Sequence, residues 1–217
     1  MSYINIINVN LKRNIFILFV LIILNILFNK ELAPQQLHKP TQIHLYKPLQ
    51  LPAPNRIIKK YKYINPTNFI KLNNESDYTY IKANYKHNNI IHIKSNGGDV
   101  YKGLDMIDFI KANNISCYAE KAYSMAFTIF QNCNERYIKY NSKLMQHQAH
   151  VYIEGKLLNV IEHIHKFKLL SDSINLYESK RINIDYKTYL NKINNGDYYF
   201  TKSDFENYRL ADYYIFH

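Results

Sequence analysis

The sequence predicts an α/β fold with a largely parallel sheet. Short apolar runs alternate with stretches of helical spacing from Asn68 onward, which is the pattern of strands joined by helical crossovers. From Thr67 to His217 there is no proline, so nothing in that stretch forbids continuous helices or interior strands. A sharp turn, Ala122-Tyr123-Ser124-Met125-Ala126, divides one apolar run from the next.

The elements follow in order. Residues Ile15 to Phe28 form an apolar run broken by Asn25 and preceded by Lys12 and Arg13. Terminal position and flanking charge predict a signal peptide or membrane anchor over 1–29, although the run is shorter than the roughly 20 residues of a typical span. Basic residues before the run would keep the N-terminus inside and send the remainder across. A buried core helix is the plainer alternative. All six prolines, Pro34, Pro40, Pro48, Pro52, Pro54 and Pro66, fall in 30–66. That stretch reads as a linker or extended arm, with room for a strand at Arg56 to Ile64. Residues 67–217 form the folded domain.

Within it, Asn68 to Leu72 reads as a strand, Glu75 to Lys86 as a weak helix and Ile90 to Lys94 as a strand ending in Ser95-Asn96-Gly97-Gly98-Asp99. Val100, Leu104, Ile107 and Ile110 share one helix face. Ile115 to Ala119 is the next strand, followed by the Ser124 turn and a helix over Met125 to Phe130. Arg136 to Tyr140 and Lys143 to Gln146 read as two strands. Leu157, Val160, Ile164, Phe167, Leu170, Ile174 and Tyr177 recur at helical spacing through a long helix. Asp197 opens a short strand, and Thr201-x-x-Asp204 is a capping-box variant opening the last helix.

Composition narrows the function. Net charge is +11, but the lysines are scattered and the cluster Arg56 to Lys62 lacks a basic-aromatic reader. A solvated surface explains it better than nucleic-acid binding. Asn, Ile, Lys and Tyr are heavily used, so single residues of these types carry little weight. Cys117 and Cys133 form no CxxC pair, and no four-ligand metal set assembles around them. Their sequence positions suit buried thiols; a disulfide is compatible with them and not fixed by them.

Four pieces point to chemistry. Ser124 at a strand-to-helix turn projects its hydroxyl from a bend, with the Met125 amide and a helix N-terminus behind it; alone, it could equally cap the helix. Gly97 and Gly98, after a strand and before a helix, let backbone amides approach a ligand atom. They are candidate oxyanion donors alongside Met125, or an ordinary glycine turn. No G-x-G-x-x-G is present, so a dinucleotide is not implied. His147, at the end of a predicted strand, can take a proton from the serine, with His150 as rival base. His163 and His165 read as helix-face residues. Asp197 can orient the imidazole or simply occupy a Gly-Asp turn.

Together these pieces resemble the ClpP family, the proteolytic subunits of the Clp protease. The resemblance rests on Ser95-Asn96-Gly97-Gly98-Asp99-Val100, Tyr123-Ser124-Met125-Ala126, Leu144-Met145-Gln146-His147-Gln148, and Asp197 to Thr201 through Leu210-Ala211-Asp212. It covers roughly Asn68 to His217. It implies a crotonase-like fold of stacked ββα turns with a long handle helix between subunits. It further implies Ser124 as nucleophile, His147 as base, Asp197 as orienter, and Gly97 or Gly98 with Met125 as the oxyanion donors. No cofactor is implied. The expected partners are a peptide or unfolded protein substrate, further copies of the chain and an AAA+ ATPase. The sequence departs from the usual pattern at Glu120 and Ala126, where the family has glycine, and at Ala149, where it has proline. Two other functions remain open: an inactive scaffold, favoured by Glu120 near the nucleophile turn, and a crotonase-like thioester enzyme, which has no use for a full triad.

Overall fold

The computed structural model describes residues 61–216. The predicted signal or anchor (1–29) and most of the arm (30–66) lie outside the described residues.

One sheet organises the domain. Its strands are β1 (Tyr61–Tyr63), β2 (Phe69–Leu72), β3 (Ile90–Ser95), β4 (Cys117–Tyr123), β5 (Arg136–Gln146), β6 (Tyr198–Tyr199) and β7 (Tyr213–Phe216). Their order is β1-β7-β5-β4-β3-β2, with β6 pairing β5 off this path. Every pairing is parallel except β5 with β6. The helices are α1 (Asp77–Asn84), α2 (Val100–Ala112), α3 (Met125–Gln131), α4 (Leu157–Arg181), α5 (Tyr186–Ile193) and α6 (Lys202–Asn207). Parallel strands need crossovers, and α1, α2 and α3 supply them between β2, β3, β4 and β5.

The core follows the sequence pattern. Ile91 and Ile93 of β3 are fully buried, with Met106, Ile107 and Ile110 of α2 and Phe127, Ile129 and Phe130 of α3 packed in the same cluster. α2 starts at Asp99, whose carboxylate accepts the Lys102 amide at 2.9 Å. The capping box at Thr201 forms as the spacing predicts, with the Thr201 amide donating to Asp204 at 2.7 Å.

The structure differs from the expectations in four places. The two strands expected in 136–146 are one, β5. Its register against β4 shifts between Ala119 and Lys121. Ser142 Oγ bridges that irregularity, accepting the Lys139 amide at 2.8 Å and donating to the Ala119 carbonyl at 2.6 Å. The strand before Ser124 begins at Cys117 and runs on to Tyr123, directly into the turn. Two elements appear that the sequence reading left out. α5 is capped by Asp185 and buries Tyr189 and Ile193. β7 inserts between β1 and β5.

Candidate active site

The carboxyl ends of β3, β4 and β5 lie side by side, where parallel α/β sheets place their ligands. β3 ends in the Gly97-Gly98 loop, β4 in Ser124 and β5 in His147. The Ser124 amide donates to the Met145 carbonyl at 3.0 Å, so the elbow is tied to the strand that leads to His147.

Ser124 has φ 54° and ψ −127°. A non-glycine residue with positive φ is strained and persists where surrounding structure holds it. Here β4 enters the turn and α3 leaves it, and the Ser124 carbonyl accepts the Phe127 amide at 2.8 Å. Its side chain makes no cap bond, so the capping explanation of this serine does not apply. Gly97 sits directly over the elbow with φ 98°. A Cβ there would come within 2.8 Å of the Tyr123 carbonyl oxygen and 2.9 Å of the Met125 amide nitrogen. Both the dihedral and the contact require glycine.

The Gly97 amide donates to Ser95 Oγ at 3.2 Å. The Gly98 and Met125 amides hold no hydrogen bond among the described residues, and both residues line a cavity with Ser124. Of the expected oxyanion donors, these two are available and Gly97 acts by shape. Glu75 steadies the loop by accepting the Asp99 amide at 2.8 Å and the Lys102 ammonium at 3.0 Å.

The cavity, about 170 Å³, also reaches His147, His150 and the α4 residues Phe167, Leu170 and Ile174. His147 Nδ1 donates to the Gln148 carbonyl at 2.6 Å. A carbonyl only accepts, so Nδ1 carries a proton; in the neutral tautomer this arrangement leaves the lone pair on Nε2. His150 stands edge-on to His147, ring centroids 5.1 Å apart. No hydrogen bond joins Ser124 Oγ to either ring among the described residues; such bonds are often long until substrate arrives.

Asp197 is exposed and makes no hydrogen bond among the described residues. Its backbone position is nonetheless informative. β5 and β6 pair Met145 with Tyr199 and Gln146 with Tyr198. Continued by one residue, that register sets Asp197 opposite His147.

Glu120, which favoured an inactive scaffold, is held on the neighbouring strand by Lys94 at 2.6 Å and His92 at 3.1 Å. The Lys94 hydrogen bond, above all, keeps its carboxyl below the ordinary range. Its charge is thereby answered locally. Cys117 and Cys133 are joined in a disulfide, Cα atoms 5.8 Å apart, that closes the β4–elbow–α3 unit. Among the described residues no group of three His, Cys, Asp or Glu side chains could hold a metal ion.

Sequence reasoning missed a buried set beneath the cavity. Glu178 of α4 is fully buried and accepts from Tyr189 and from Gln146 Nε2. The signal existed: Glu178 continues the half-buried stripe of Leu170 and Ile174 at helical spacing, at a position where an apolar residue is expected.

No curated protein matches the chain. The family model described as Clp protease matches residues 38–217, most of the chain and the whole of the site built above, and the protein accordingly belongs to the Clp protease family.

Proposed function

We propose that the chain is a serine endopeptidase using Ser124, His147 and Asp197. The observation that carries this reading is the strained elbow at Ser124, opening into one cavity with two unengaged amides and His147. In the reaction, Ser124 Oγ bonds to the peptide carbonyl carbon as its proton passes to His147 Nε2. The carbonyl oxygen takes the negative charge between the Gly98 and Met125 amides. Collapse breaks the C–N bond, and the departing amine takes the proton from Nε2. Water then repeats the sequence on the acyl-enzyme, regenerating the serine. Asp197 joins when the His147 ring turns from the Gln148 carbonyl toward it, just before β6.

A fluorophosphonate probe should label Ser124 in the assembled protein, and Ser124→Ala should cut peptide hydrolysis by at least about 10⁴-fold. An unlabelled, folded and assembled protein overturns the reading.

The exposure of Asp197 favours a second reading, an inactive scaffold of the same fold. Replacing Ser124 with alanine and finding every cellular effect of the protein intact would support it.

Members of the family are generally oligomeric and work with AAA+ ATPases, and we extend both to this chain. Among the described residues no helix is long and apolar enough to cross a membrane. The apolar run at 15–28 and the disulfide, which persists in oxidising compartments, support export or membrane anchoring. Carbonate extraction checks the anchor: full-length protein in the soluble fraction rejects it.

A further inference from the structure

α4 has two buried residues, and one of them is an acid, Glu178. A carboxyl group removed from water is costly unless its oxygens are satisfied. No cation pairs with Glu178 among the described residues. Its partners are neutral: Tyr189 of α5 donates a hydroxyl, and Gln146 Nε2 lies 3.0 Å and 3.1 Å from the two oxygens. Thr128 Oγ1 in turn accepts from Gln146 Nε2 at 3.2 Å. Burial raises the carboxyl above its ordinary range, and the hydrogen bonds to it work against that.

These contacts fix more than the acid. An amide side chain has a donor end and an acceptor end of nearly equal shape, and its orientation is set by what faces it. The Glu178 oxygen facing Gln146 accepts, so Nε2 turns down toward it. Gln146 Oε1 therefore points up, where it accepts the His147 backbone amide at 3.1 Å. The chain of bonds runs from α4 through Gln146 to the residue proposed as the base.

We infer that Glu178 is a positioning residue for His147: by fixing the sense of the Gln146 amide, it supplies the acceptor that holds the His147 backbone beside Ser124. The inference rests on the serine-peptidase reading for its consequence, and on geometry alone for the His147 amide. A glutamine side chain in place of Glu178 fits the same space but can present either end. Gln146 can then reverse, and its NH₂ group would face the His147 N–H, donor against donor.

The experiment compares wild type, Glu178→Gln, Gln146→Glu and the double exchange, reading His147 amide hydrogen exchange, the rate of fluorophosphonate labelling and Tm. In Glu178→Gln, amide exchange should speed up and labelling slow down, each roughly tenfold, with no fall in Tm. The double exchange reverses the pair. The amide now on α4 donates, and the carboxylate now at the end of β5 accepts from both sides. Both readouts should then return to within about threefold of wild type. Unchanged His147 exchange in Glu178→Gln, or no recovery in the folded double variant, overturns the inference. Absence of labelling in every protein, wild type included, would reject the peptidase reading while amide exchange still judged Glu178. If the variants do not fold, a scalar coupling across the His147 N–H···Gln146 Oε1 bond in wild type decides it, and its absence overturns the inference.

Discussion

At Ser124, a φ of 54° holds an L-residue in a conformation that costs about 1–3 kcal/mol. The strain points to function because nothing in capping requires it. Glycine adopts this geometry freely, so Ser124→Gly should be more stable than Ser124→Ala by about 1 kcal/mol in urea unfolding, with both inactive. Two acids, the half-buried Asp212 and the buried Glu178, respond oppositely to pH. For Asp212, burial acts to raise the pKa, but Arg136, Arg181 and Arg209 outweigh it and hold the carboxyl far below its ordinary value. The linked stability is present above the unfolded value of about 3.9 and disappears as pH falls through the folded value. Asp212→Asn should cost about 3–5 kcal/mol at neutral pH, because the fully buried Arg136 loses its 3.0 Å partner. Glu178 is raised instead. Its linked stability is full below about 4.3 and declines as pH rises through the folded value. Glu178→Gln should therefore raise Tm at neutral pH while its activity falls, which separates positioning from structural support.

At the scale of elements, β4, the Ser124 elbow and α3 form one unit, closed by Cys117–Cys133 over a sequence separation of 16. Removing the bridge by Cys117→Ser with Cys133→Ser should lower stability by about 3 kcal/mol, measured by denaturant unfolding. The gain in unfolded-chain entropy falls on the segment that positions Ser124. Labelling of Ser124 should therefore decline at temperatures where the rest of the fold persists. Both the strand that enters this unit and the helix that leaves it were legible in the sequence, since apolar runs and the helical repeat are local properties. The single strand β5 was not. Asn141 and Ser142 interrupt its apolar pattern, and the Ser142 bridge to the Ala119 carbonyl, a contact 23 residues away, helps carry the strand through.

Across the whole molecule, α4 divides in two. Its C-terminal end is docked by Glu178, Ser179 and the Arg181 bonds to the Gln131 and Cys133 carbonyls. Its N-terminal half leaves Leu157 and Leu158 more than two-thirds exposed, with Ile161 and Ile164 about half exposed. A stripe of large apolar residues in water favours association. Ile161→Asp with Ile164→Asp should shift the assembly toward smaller species in sedimentation velocity, with circular dichroism unchanged.

The amino-acid order by itself determined the α/β class, the elbow serine, the glycine loop and the histidine at a strand end. Periodicity, turn chemistry and capping act over a few residues and can be read along the chain. Tertiary structure alone decided what meets what: that Gly97 contributes shape and Gly98 an unengaged amide, that His147 leans on the Gln148 carbonyl, that the two cysteines join, and that Glu178 is buried against Gln146 and Tyr189. Those outcomes depend on strand register and on which groups lose water together, and both are set by residues far apart in sequence.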